Sequence, residues 1–367
     1  MSSSVPFIPG LTLCEAFFHE IAEPLLMRHF PGLPYSAGLL GYGSDVLGYD
    51  DAVSTDHMWG PRFYLFLDEA GMTRREEIQR VFATNFPYTY RGFSVHFSEP
   101  DENDHGVRHP ERICSGEVSP LVFFHTFEGY LDAYLGTHTL EQLDISDWLS
   151  FSEHRLLALT CGKFFTDGLE LCRKLEVLSY YPQSVRLYLL ASNWSLIAQE
   201  QAFVRRCADV GDETGSILVC ARIAQRLMRL AFLYCGRYSP YSKWFGTAFS
   251  QLPIPETIGY AIRQALTAQD KYQRETALIK AQEYLARLNN SSGLTPPVEV
   301  KVEPYFNRDI LVIHAEKIAE SIKKQLFGTP LSGIPLIGSL SEIGNYTEIS
   351  DDPAFRMHIR NLYLKRV

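Results

Sequence analysis

The sequence predicts an α+β protein with a mixed sheet and helices in its N-terminal part, a mainly helical middle and a small α/β extension at its C-terminus. Short apolar runs of strand length alternate with helical patterns up to about residue 146, and from Asp147 onward the apolar spacing stays helical. A break rich in Ser, Gly and Pro at 289–297 then separates the helical part from alternating, strand-like sequence. The predicted domains are residues 1–146, 147–290 and 291–367.

Length and composition predict a folded chain of more than one domain. Its 367 residues exceed the size at which a single hydrophobic core usually stops growing. Hydrophobic residues make up 46% and charged residues 21%, far from the composition of a disordered chain. The net charge of −9 supplies no basic field for nucleic acid. A tRNA partner is therefore not favoured, although a local basic cleft would still accept an RNA end.

The cysteines and the apolar pattern predict a soluble protein of the cytoplasm. The seven cysteines contain neither a Cys-x-x-Cys pair nor a zinc-ligand spacing, which indicates reduced thiols. The first residues lack the basic and apolar segments of a secretory signal, and no apolar run is long enough to cross a bilayer. We therefore expect no membrane partner.

The elements are predicted in chain order from spacing and turn signals. Apolar residues at helical spacing predict a helix over 11–30, which Pro31 and Gly32 end. The run 62–67 is apolar throughout, which is typical of a central strand. Further strands are predicted from residue 35, at 93–97 and at 121–125, and further helices at 74–82, 128–135, 152–161, 168–180, 184–206, 213–235, 244–249, 255–288 and 315–326.

A glycine-rich turn between two predicted strands is the most informative motif. The chain reads Gly41-Tyr-Gly43-Ser44 after the first strand, and Asp56 follows twelve residues after Ser44, where an acid would begin the next strand. Over residues 35–70 this layout resembles the sites of the nucleotidyltransferase superfamily. The resemblance implies a nucleotidyltransferase-like N-terminal domain that uses an NTP such as ATP.

The residue types at this turn suit phosphate and metal binding. Gly43 lets the backbone approach a phosphate, whose oxygens can accept hydrogen bonds from backbone amides and the Ser44 hydroxyl. Carboxylates at alternate positions of a strand share one face and can hold Mg²⁺ between phosphates, and Asp56 stands where the first such carboxylate belongs. We expect Gly43 and Ser44 to bind nucleotide, Asp56 to bind Mg²⁺ and act in catalysis, and the neighbouring His57 to assist.

Position 58 departs from the superfamily pattern. The pattern has acid-x-acid here, whereas this chain has Met58, whose thioether is a poor ligand for a hard cation. Either another acid compensates or nucleotidyl transfer is lost. The acids that could replace the second ligand are Asp50, Asp51, Glu99 and Glu128. A Gly-Ser turn after a strand is also common in proteins that bind no phosphate.

Longer stretches of the chain resemble one family. They are Phe7-Ile-Pro-Gly-Leu11, Gly41-Tyr-Gly-Ser44, Ser54-Thr-Asp-His57, Trp59-Gly-Pro-Arg62, the run 238–249 and Gly293-Leu-Thr-Pro296. Together they resemble the DUF4037 family, which is usually placed beside the nucleotidyltransferases. The resemblance spans nearly the whole chain and implies a fold without a firm activity.

A row of arginines on a predicted helix is the second candidate feature. Arg222, Arg226 and Arg229 are spaced four and three residues apart and therefore share one face of the helix 213–235. Guanidinium groups on an otherwise apolar helix need anions, and phosphates fit them well. Superfamily relatives often carry such basic residues in a helical domain, so we expect Arg222, Arg226 and Lys243 to hold the phosphates of the nucleotide.

The same arginines also have a structural interpretation, in which Asp212, Glu213 and other acids neutralise them. The segment that follows the helix adds Tyr241 and Ser242 as candidates for nucleotide binding. An aromatic ring there can stack on a base, although such rings more often belong to the core.

These features predict a nucleotidyltransferase-like enzyme that transfers a nucleotidyl group from an NTP to the hydroxyl or amine of an unknown small-molecule or protein acceptor. Catalysis would then depend on positioning and charge neutralisation. One alternative is a degenerate relative that binds a nucleotide without transferring it and serves as a sensor or interaction protein. Another is an enzyme that uses the same pocket for other chemistry, for example on an aminoacyl-tRNA. The chain has no Gly-x-Ser-x-Gly elbow, P-loop or dinucleotide fingerprint, which disfavours those classes.

Overall fold

The computed structural model describes residues 6–55, 58–104, 106–344 and 346–364. The chain divides into two compact units. Unit 1 comprises residues 1–142 and 155–179, and unit 2 comprises 143–154 and 180–367. This division differs from the predicted three domains because residues 291–367 lie in one unit with most of the helical part, and because residues 155–179 belong with the N-terminal part.

The helices and strands have the following bounds. The helices are α1 (Gly10–Phe17), α2 (Glu23–His29), α3 (Glu69–Met72), α4 (Arg75–Asn85), α5 (Phe127–Leu135), α6 (Ile145–Ser150), α7 (Glu153–Cys161), α8 (Leu171–Leu175), α9 (Gln183–Glu200), α10 (Phe203–Asp209), α11 (Glu213–Cys235), α12 (Ser242–Ser250), α13 (Glu256–Thr267), α14 (Lys271–Ser291), α15 (Ala315–Lys324), α16 (Leu340–Ile343), α17 (Thr347–Ser350) and α18 (Pro353–Arg360). The strands are β1 (Tyr35–Leu39), β2 (Arg62–Leu67), β3 (Thr89–Tyr90), β4 (Phe93–Ser94), β5 (Leu121–His125), β6 (Lys163–Asp167), β7 (Glu303–Pro304) and β8 (Leu311–Val312).

The predicted α+β class is confirmed, and several elements have the predicted bounds. Strands β2 and β5 and helix α11 begin and end at the predicted residues. The predicted helix 11–30 is instead interrupted by a π-helical turn, Phe18–Ala22. Pro24 follows this turn, and because proline has no backbone N–H and its ring crowds the preceding turn, the regular hydrogen-bond ladder cannot pass through it.

Unit 1 is built on a four-stranded sheet with the order β5-β2-β1-β6. Strand β1 is antiparallel to both β2 and β6, and β2 is parallel to β5. All six residues of β2 are buried, as expected for a central strand. Phe63 packs against Phe17 of α1 and Phe82 of α4, while Phe66 on the alternate side contacts Tyr130 of α5.

Strand β6 is the strand of the main sheet that the sequence did not predict. It pairs with β1 across more than 120 residues of chain, with a register shift between Ala37 and Gly38. Gly38 lies so close to the backbone of Lys163 that a Cβ there would clash with it. A five-residue, half-buried strand that directly follows a helix has little local periodicity, so this long-range pairing leaves no clear signal in the sequence.

Unit 2 is mainly helical and is organised around α11. This 23-residue helix contacts α9, α10, α13 and α14, and α15 packs on α9. Trp194 of α9 is fully buried and donates a hydrogen bond to the Tyr234 hydroxyl, 2.7 Å away, which itself donates to Asn289. In the part of the chain that the structure describes, no helix combines the length and apolar character needed to cross a membrane.

Candidate functional site

A polar cavity of about 240 Å³ lies in unit 2. Its walls come from the start of α7, one face of α11, the segment that leads into α12 and the C-terminal stretch around α16 and α17. The lining residues are Glu153, His154, Gln225, Arg229, Ser239, Pro240, Tyr241, Ser242, Phe245, Ser341, Gly344, Thr347 and Ser350. Six of these thirteen side chains carry a hydroxyl group, which makes the cavity suitable for a polar ligand.

Glu153 forms the buried acidic wall of the cavity. One carboxylate oxygen accepts the Ser239 backbone N–H at 3.0 Å, and the other accepts the Ser239 hydroxyl at 2.8 Å and Arg229 Nη1 at 3.2 Å. Burial raises the pKa of Glu153 above its usual value, although Arg229 and Ser239 oppose the rise. The carboxylate and the guanidinium therefore largely neutralise each other.

Both terminal nitrogens of Arg229 donate hydrogen bonds, whereas one of those of Arg226, one turn earlier on α11, has no partner in the described residues. Arg229 Nη2 donates to the Ser341 carbonyl at 2.7 Å, in addition to its bond with Glu153. Arg226 Nη2 donates to the carbonyl of Glu342 at 3.1 Å, but its Nη1 is buried without a hydrogen-bond partner in the described residues. Burial lowers the pKa of Arg226 and the nearby Arg229 adds to this effect, while the carboxylates of Glu342 and Glu200 oppose it.

His154 is fixed between two polar groups at the same wall. Its Nδ1 lies 2.9 Å from the Ser152 hydroxyl, and its Nε2 lies 2.7 Å from a carboxylate oxygen of Asp351. The imidazole ring also packs edge-on against the Tyr241 ring, with 5.8 Å between centroids. A histidine held in this way orients Tyr241, the residue that precedes helix α12.

Helix α12 begins at the cavity without a side-chain cap. Tyr241 occupies the N-cap position, and its side chain accepts no hydrogen bond from the amides of the first turn. Ser242 is the first helical residue and lines the cavity. The first amides of a helix have no partner within the helix and carry partial positive charge, so they favour an acceptor at this place.

The structure brings together some of the residues that the sequence predicts for nucleotide binding in this unit, and not others. Tyr241 and Ser242 line the cavity, whereas Arg226 follows the lining residue Gln225 in the chain and binds the carbonyl of Glu342, which follows the lining residue Ser341. Arg222 points to solvent and forms an ion pair with Glu200, with 2.7 Å between Nη2 and Oε1. Lys243 is exposed and lies over the ring of Trp244, 5.1 Å from its centroid.

The structural interpretation of the arginine row therefore holds for two of its members, through acids other than the two named from the sequence. Arg222 pairs with Glu200 and Arg229 pairs with Glu153. The acids named from the sequence have other roles. Asp212 caps the start of α11 by accepting the Gly215 N–H, and Glu213 pairs with Arg274.

In unit 1, Gly43 and Ser44 lie in the turn after β1 that the sequence predicts. The space over Gly43 contains the carboxylate of Asp45, which forms a two-pronged ion pair with Arg62 at 2.8 and 3.0 Å. Asp45 and Arg62 are only 2% and 3% exposed. Gly43 has a φ of +122°, and a Cβ there would overlap Asp45 Oδ1, so this ion pair by itself requires a glycine.

The predicted catalytic and metal-binding residues Asp56 and His57 lie outside the described residues, so their roles stay predictions. Strand β2 begins at Arg62, and Met58 has a left-handed backbone with a φ of +48° four residues earlier. The alternate-position geometry expected for positions 56 and 58 requires an extended strand, which Met58 does not provide. Its sulfur instead accepts a hydrogen bond from the Tyr42 hydroxyl at 2.7 Å.

The acids considered as the second metal ligand have structural partners. Asp50 accepts the Gly10 N–H at 2.7 Å and the Trp59 indole N–H at 3.0 Å. Asp51 caps its own loop by accepting the N–H of Val53.

Glu128 lies 3.5 Å from the ammonium group of Lys174, and Glu99 is exposed. The described residues contain no group of three or more His, Cys, Asp or Glu side chains that would hold Mg²⁺.

The cavity residues Glu153, His154, Ser239 and Gln225 were not predicted from the sequence. Glu153 and Ser239 are 86 positions apart, and each stands in an otherwise ordinary helix start or turn. The one signal in the sequence was the arginine row, of which Arg229 lines the cavity.

Residues 148–245 match the profile of a family described as "Domain of unknown function (DUF4037)". The family predicted from the sequence is thus confirmed for this stretch, which contains α7, α9, α11 and most of the cavity walls. No curated protein matches the chain.

Proposed function

We propose that the protein binds a nucleotide and holds a phosphate of this ligand in the cavity of unit 2. The observation that carries the proposal is Arg226 Nη1, a buried donor on a charged group without a partner in the described residues. Such a group costs free energy in the unliganded protein, and buried orphan donors are rare enough to need an explanation. A phosphate oxygen is the acceptor that suits a guanidinium best.

The polar groups that line the cavity support an anionic ligand. Gln225 and Ser242 present an amide and a hydroxyl to the cavity, and the uncapped start of α12 adds its amide groups. Hydrogen bonds from neutral donors and a helix start stabilise a phosphate without a further full positive charge. Tyr241 and Phe245 provide ring surfaces at the same wall for the rest of the ligand.

Calorimetric titration with ATP and AMP tests this proposal on the whole chain. Arg226→Gln removes the guanidinium and should weaken binding about tenfold or more, since a hydrogen bond to a charged group contributes roughly 1.5–3 kcal/mol. Arg222→Gln is the matched control, because Arg222 lies on the same helix but pairs with Glu200 away from the cavity. Equal affinities of the wild type and the Arg226→Gln variant would refute the assignment.

Nucleotidyl transfer from an NTP is the second candidate function, and it rests on the order of strand, Gly-Ser turn and strand in unit 1. Strands β1 and β2 flank this turn as the sequence predicts. Incubation with [α-³²P]NTP and a panel of acceptors tests it, and Asp56→Asn should abolish any label transfer. Met58→Asp would increase transfer if a missing second acid is the defect.

Binding without transfer is favoured over transfer by two observations in unit 1. The Asp45–Arg62 pair accounts for Gly43 without a phosphate, and Met58 is held by Tyr42 rather than placed on β2. If the protein binds a nucleotide without transferring it, we expect a nucleotide to bind at micromolar affinity and no acceptor to give a labelled product. A labelled product that disappears in Asp56→Asn would contradict it.

A further inference from the structure

We propose that a groove beside the C-terminal end of helix α15 binds a short peptide segment of a partner protein, one that carries apolar and acidic side chains. The groove lies in unit 2, has a volume of about 570 Å³ and is formed by the last turns of α15 and the turn-rich segment 326–336. It shares no lining residue with the polar cavity. The inference therefore does not depend on nucleotide binding.

The floor of the groove is apolar and is held by backbone hydrogen bonds. Leu326, Leu331 and Ile334 line the groove and are only 2%, 1% and 7% exposed. The Thr329 N–H donates to the Leu326 carbonyl at 3.0 Å, and the Ile334 N–H donates to the Leu331 carbonyl at 3.2 Å. An apolar side chain that enters this depression loses contact with water and gains packing partners. The floor therefore favours an apolar group of the ligand.

An exposed aromatic ring stands at the rim of the same groove. Phe327 is 87% exposed, more than any other large apolar side chain in the described part of the chain. Leu336, which is half-buried, also lines the groove. Single exposed apolar residues are common on protein surfaces, but this one adjoins an apolar depression. A peptide segment in the groove would cover the floor and the ring together.

Two lysines give the rim a positive charge. Lys323 and Lys324 are exposed, and neither has an ion-pair partner within the part of the chain that the structure describes. The one acid among the described lining residues is Glu320, so the lining has one more positive than negative charge, in a chain whose net charge is −9. Carboxylates beside the apolar side chain of a partner would complement these ammonium groups and fix its register.

The concave shape of the groove favours a peptide over a membrane surface. An exposed phenylalanine beside two lysines also suits an anionic bilayer, in which the ring enters the interface and the lysines meet the headgroups. A bilayer would cover Phe327, but it would not reach the buried floor residues Leu331 and Ile334. A single side chain of a peptide can enter the depression, so we expect the occupant to be a peptide segment.

Fluorescence polarisation of the full chain with three panels of labelled peptides of about ten residues tests the inference. Peptides of the first panel carry a pair of leucines and a pair of acids at varied spacing. The second panel replaces the acids with lysines, and the third replaces the leucines with serines. We expect at least one peptide of the first panel to bind at micromolar affinity, and the other two panels to remain unbound up to about 1 mM.

Variants of the groove locate the peptide that binds. Phe327→Ala removes the ring, and the double variant Lys323→Gln/Lys324→Gln removes both charges, so each should weaken binding at least about tenfold. Lys317→Gln is the matched control, because Lys317 is exposed on the same helix but does not line the groove. It should leave the affinity unchanged. Thermal melting verifies that the variants are folded.

The opposing outcomes are distinct. Failure of the whole first panel to bind at about 1 mM would overturn the inference. So would equal binding of the lysine or serine panel, or peptide binding that both groove variants leave intact. Phosphatidylserine vesicles that bind in place of the peptides would assign the groove to a membrane. Dimerisation in light scattering that Phe327→Ala abolishes would assign it to a second copy of the chain, and either result would replace the peptide partner.

Discussion

The glycine-serine turn of unit 1 and the cavity of unit 2 each contain an arginine paired with a buried carboxylate, but only at the cavity does a neighbouring arginine keep a donor without a partner among the described residues. At the turn, Arg62 and Asp45 satisfy each other in a two-pronged pair and fill the space over Gly43. At the cavity, Arg229 and Glu153 also pair, yet Arg226 keeps a donor without an acceptor. The same charge chemistry stabilises the fold in one place and prepares a binding site in the other.

The largest expected effect tests the structural role of the pair in unit 1. Asp45→Asn leaves the Arg62 charge buried without a counter-charge, so the free energy of unfolding should fall by about 3–5 kcal/mol. Urea denaturation followed by circular dichroism measures this change. Glu77→Gln is the control, because Glu77 forms an exposed pair with Arg74 and should change stability by less than about 0.5 kcal/mol. A loss below about 1 kcal/mol in Asp45→Asn would contradict a structural role.

The equivalent change in unit 2 should affect both stability and binding. Glu153→Gln keeps an oxygen acceptor for Ser239 but leaves Arg229 without a negative partner, and we expect a loss of about 2 kcal/mol. The added net positive charge at the cavity should also tighten ATP binding by about tenfold in calorimetric titration. Asp45→Asn, tested in parallel, should leave the affinity unchanged. Unaltered ATP binding in Glu153→Gln would show that Glu153 does not limit the charge of the ligand.

The pH dependence of stability distinguishes Glu153 from an ordinary surface acid. Because burial raises its folded-state pKa above the usual 4.5, the native state binds a proton more readily than the unfolded chain. The wild type should therefore lose stability as pH rises from about 4.5 through the folded-state pKa, and Glu153→Gln should lack this loss. Urea denaturation at intervals between pH 4.5 and 8 measures the difference. A difference between the two proteins that stays constant over this range would refute the raised pKa.

Replacement of Arg226 should raise stability and weaken binding, which is the reverse of the effects expected for Glu153→Gln. A buried donor without a partner costs about 1 kcal/mol or more, so Arg226→Met should stabilise the unliganded protein by about 1 kcal/mol while it weakens nucleotide binding. Thermal unfolding with and without AMP measures both effects. A clear loss of stability in the unliganded variant would indicate that the guanidinium has a structural role instead.

The sequence predicted the elements whose signals are local, and it missed those that depend on distant pairing. The apolar run 62–67 and the long amphipathic pattern 213–235 give β2 and α11 their predicted bounds. Strand β6 obtains its partner β1 from more than 120 residues away, so periodicity alone does not reveal it, whereas β7 and β8, which pair with each other, lie in the stretch with predicted strand-like alternation. Residues 268–270 interrupt the predicted helix 255–288, where Asp270 caps the start of α14.

The candidate site shows the same limit at the level of single side chains. Spacing on one helix grouped Arg226 with Arg229, which lines the cavity, because residues three and four apart share a face. Spacing could not show that Glu153 would neutralise Arg229, since 76 residues separate them. Nor could it show that Asp45 rather than a ligand lies over Gly43. Motif residues identify candidate positions in the sequence, whereas the fold determines which partners each residue contacts and therefore its role.

The smallest expected effect concerns the one arginine of the row that faces solvent. Arg222 is 54% exposed in its side chain and pairs with Glu200, and exposed pairs contribute about 0–1 kcal/mol. Arg222→Gln should therefore lower the free energy of unfolding by about 0.5 kcal/mol and leave the AMP affinity unchanged, as urea denaturation and calorimetry would show. Because Arg222 and Arg226 occupy the same face of one helix, a large loss of affinity in Arg222→Gln would mean that the ligand extends along α11 beyond the cavity. The different roles expected for Arg222 and Arg226 follow from their different ion-pair and hydrogen-bond partners. This variant tests whether these partners are sufficient to explain the difference.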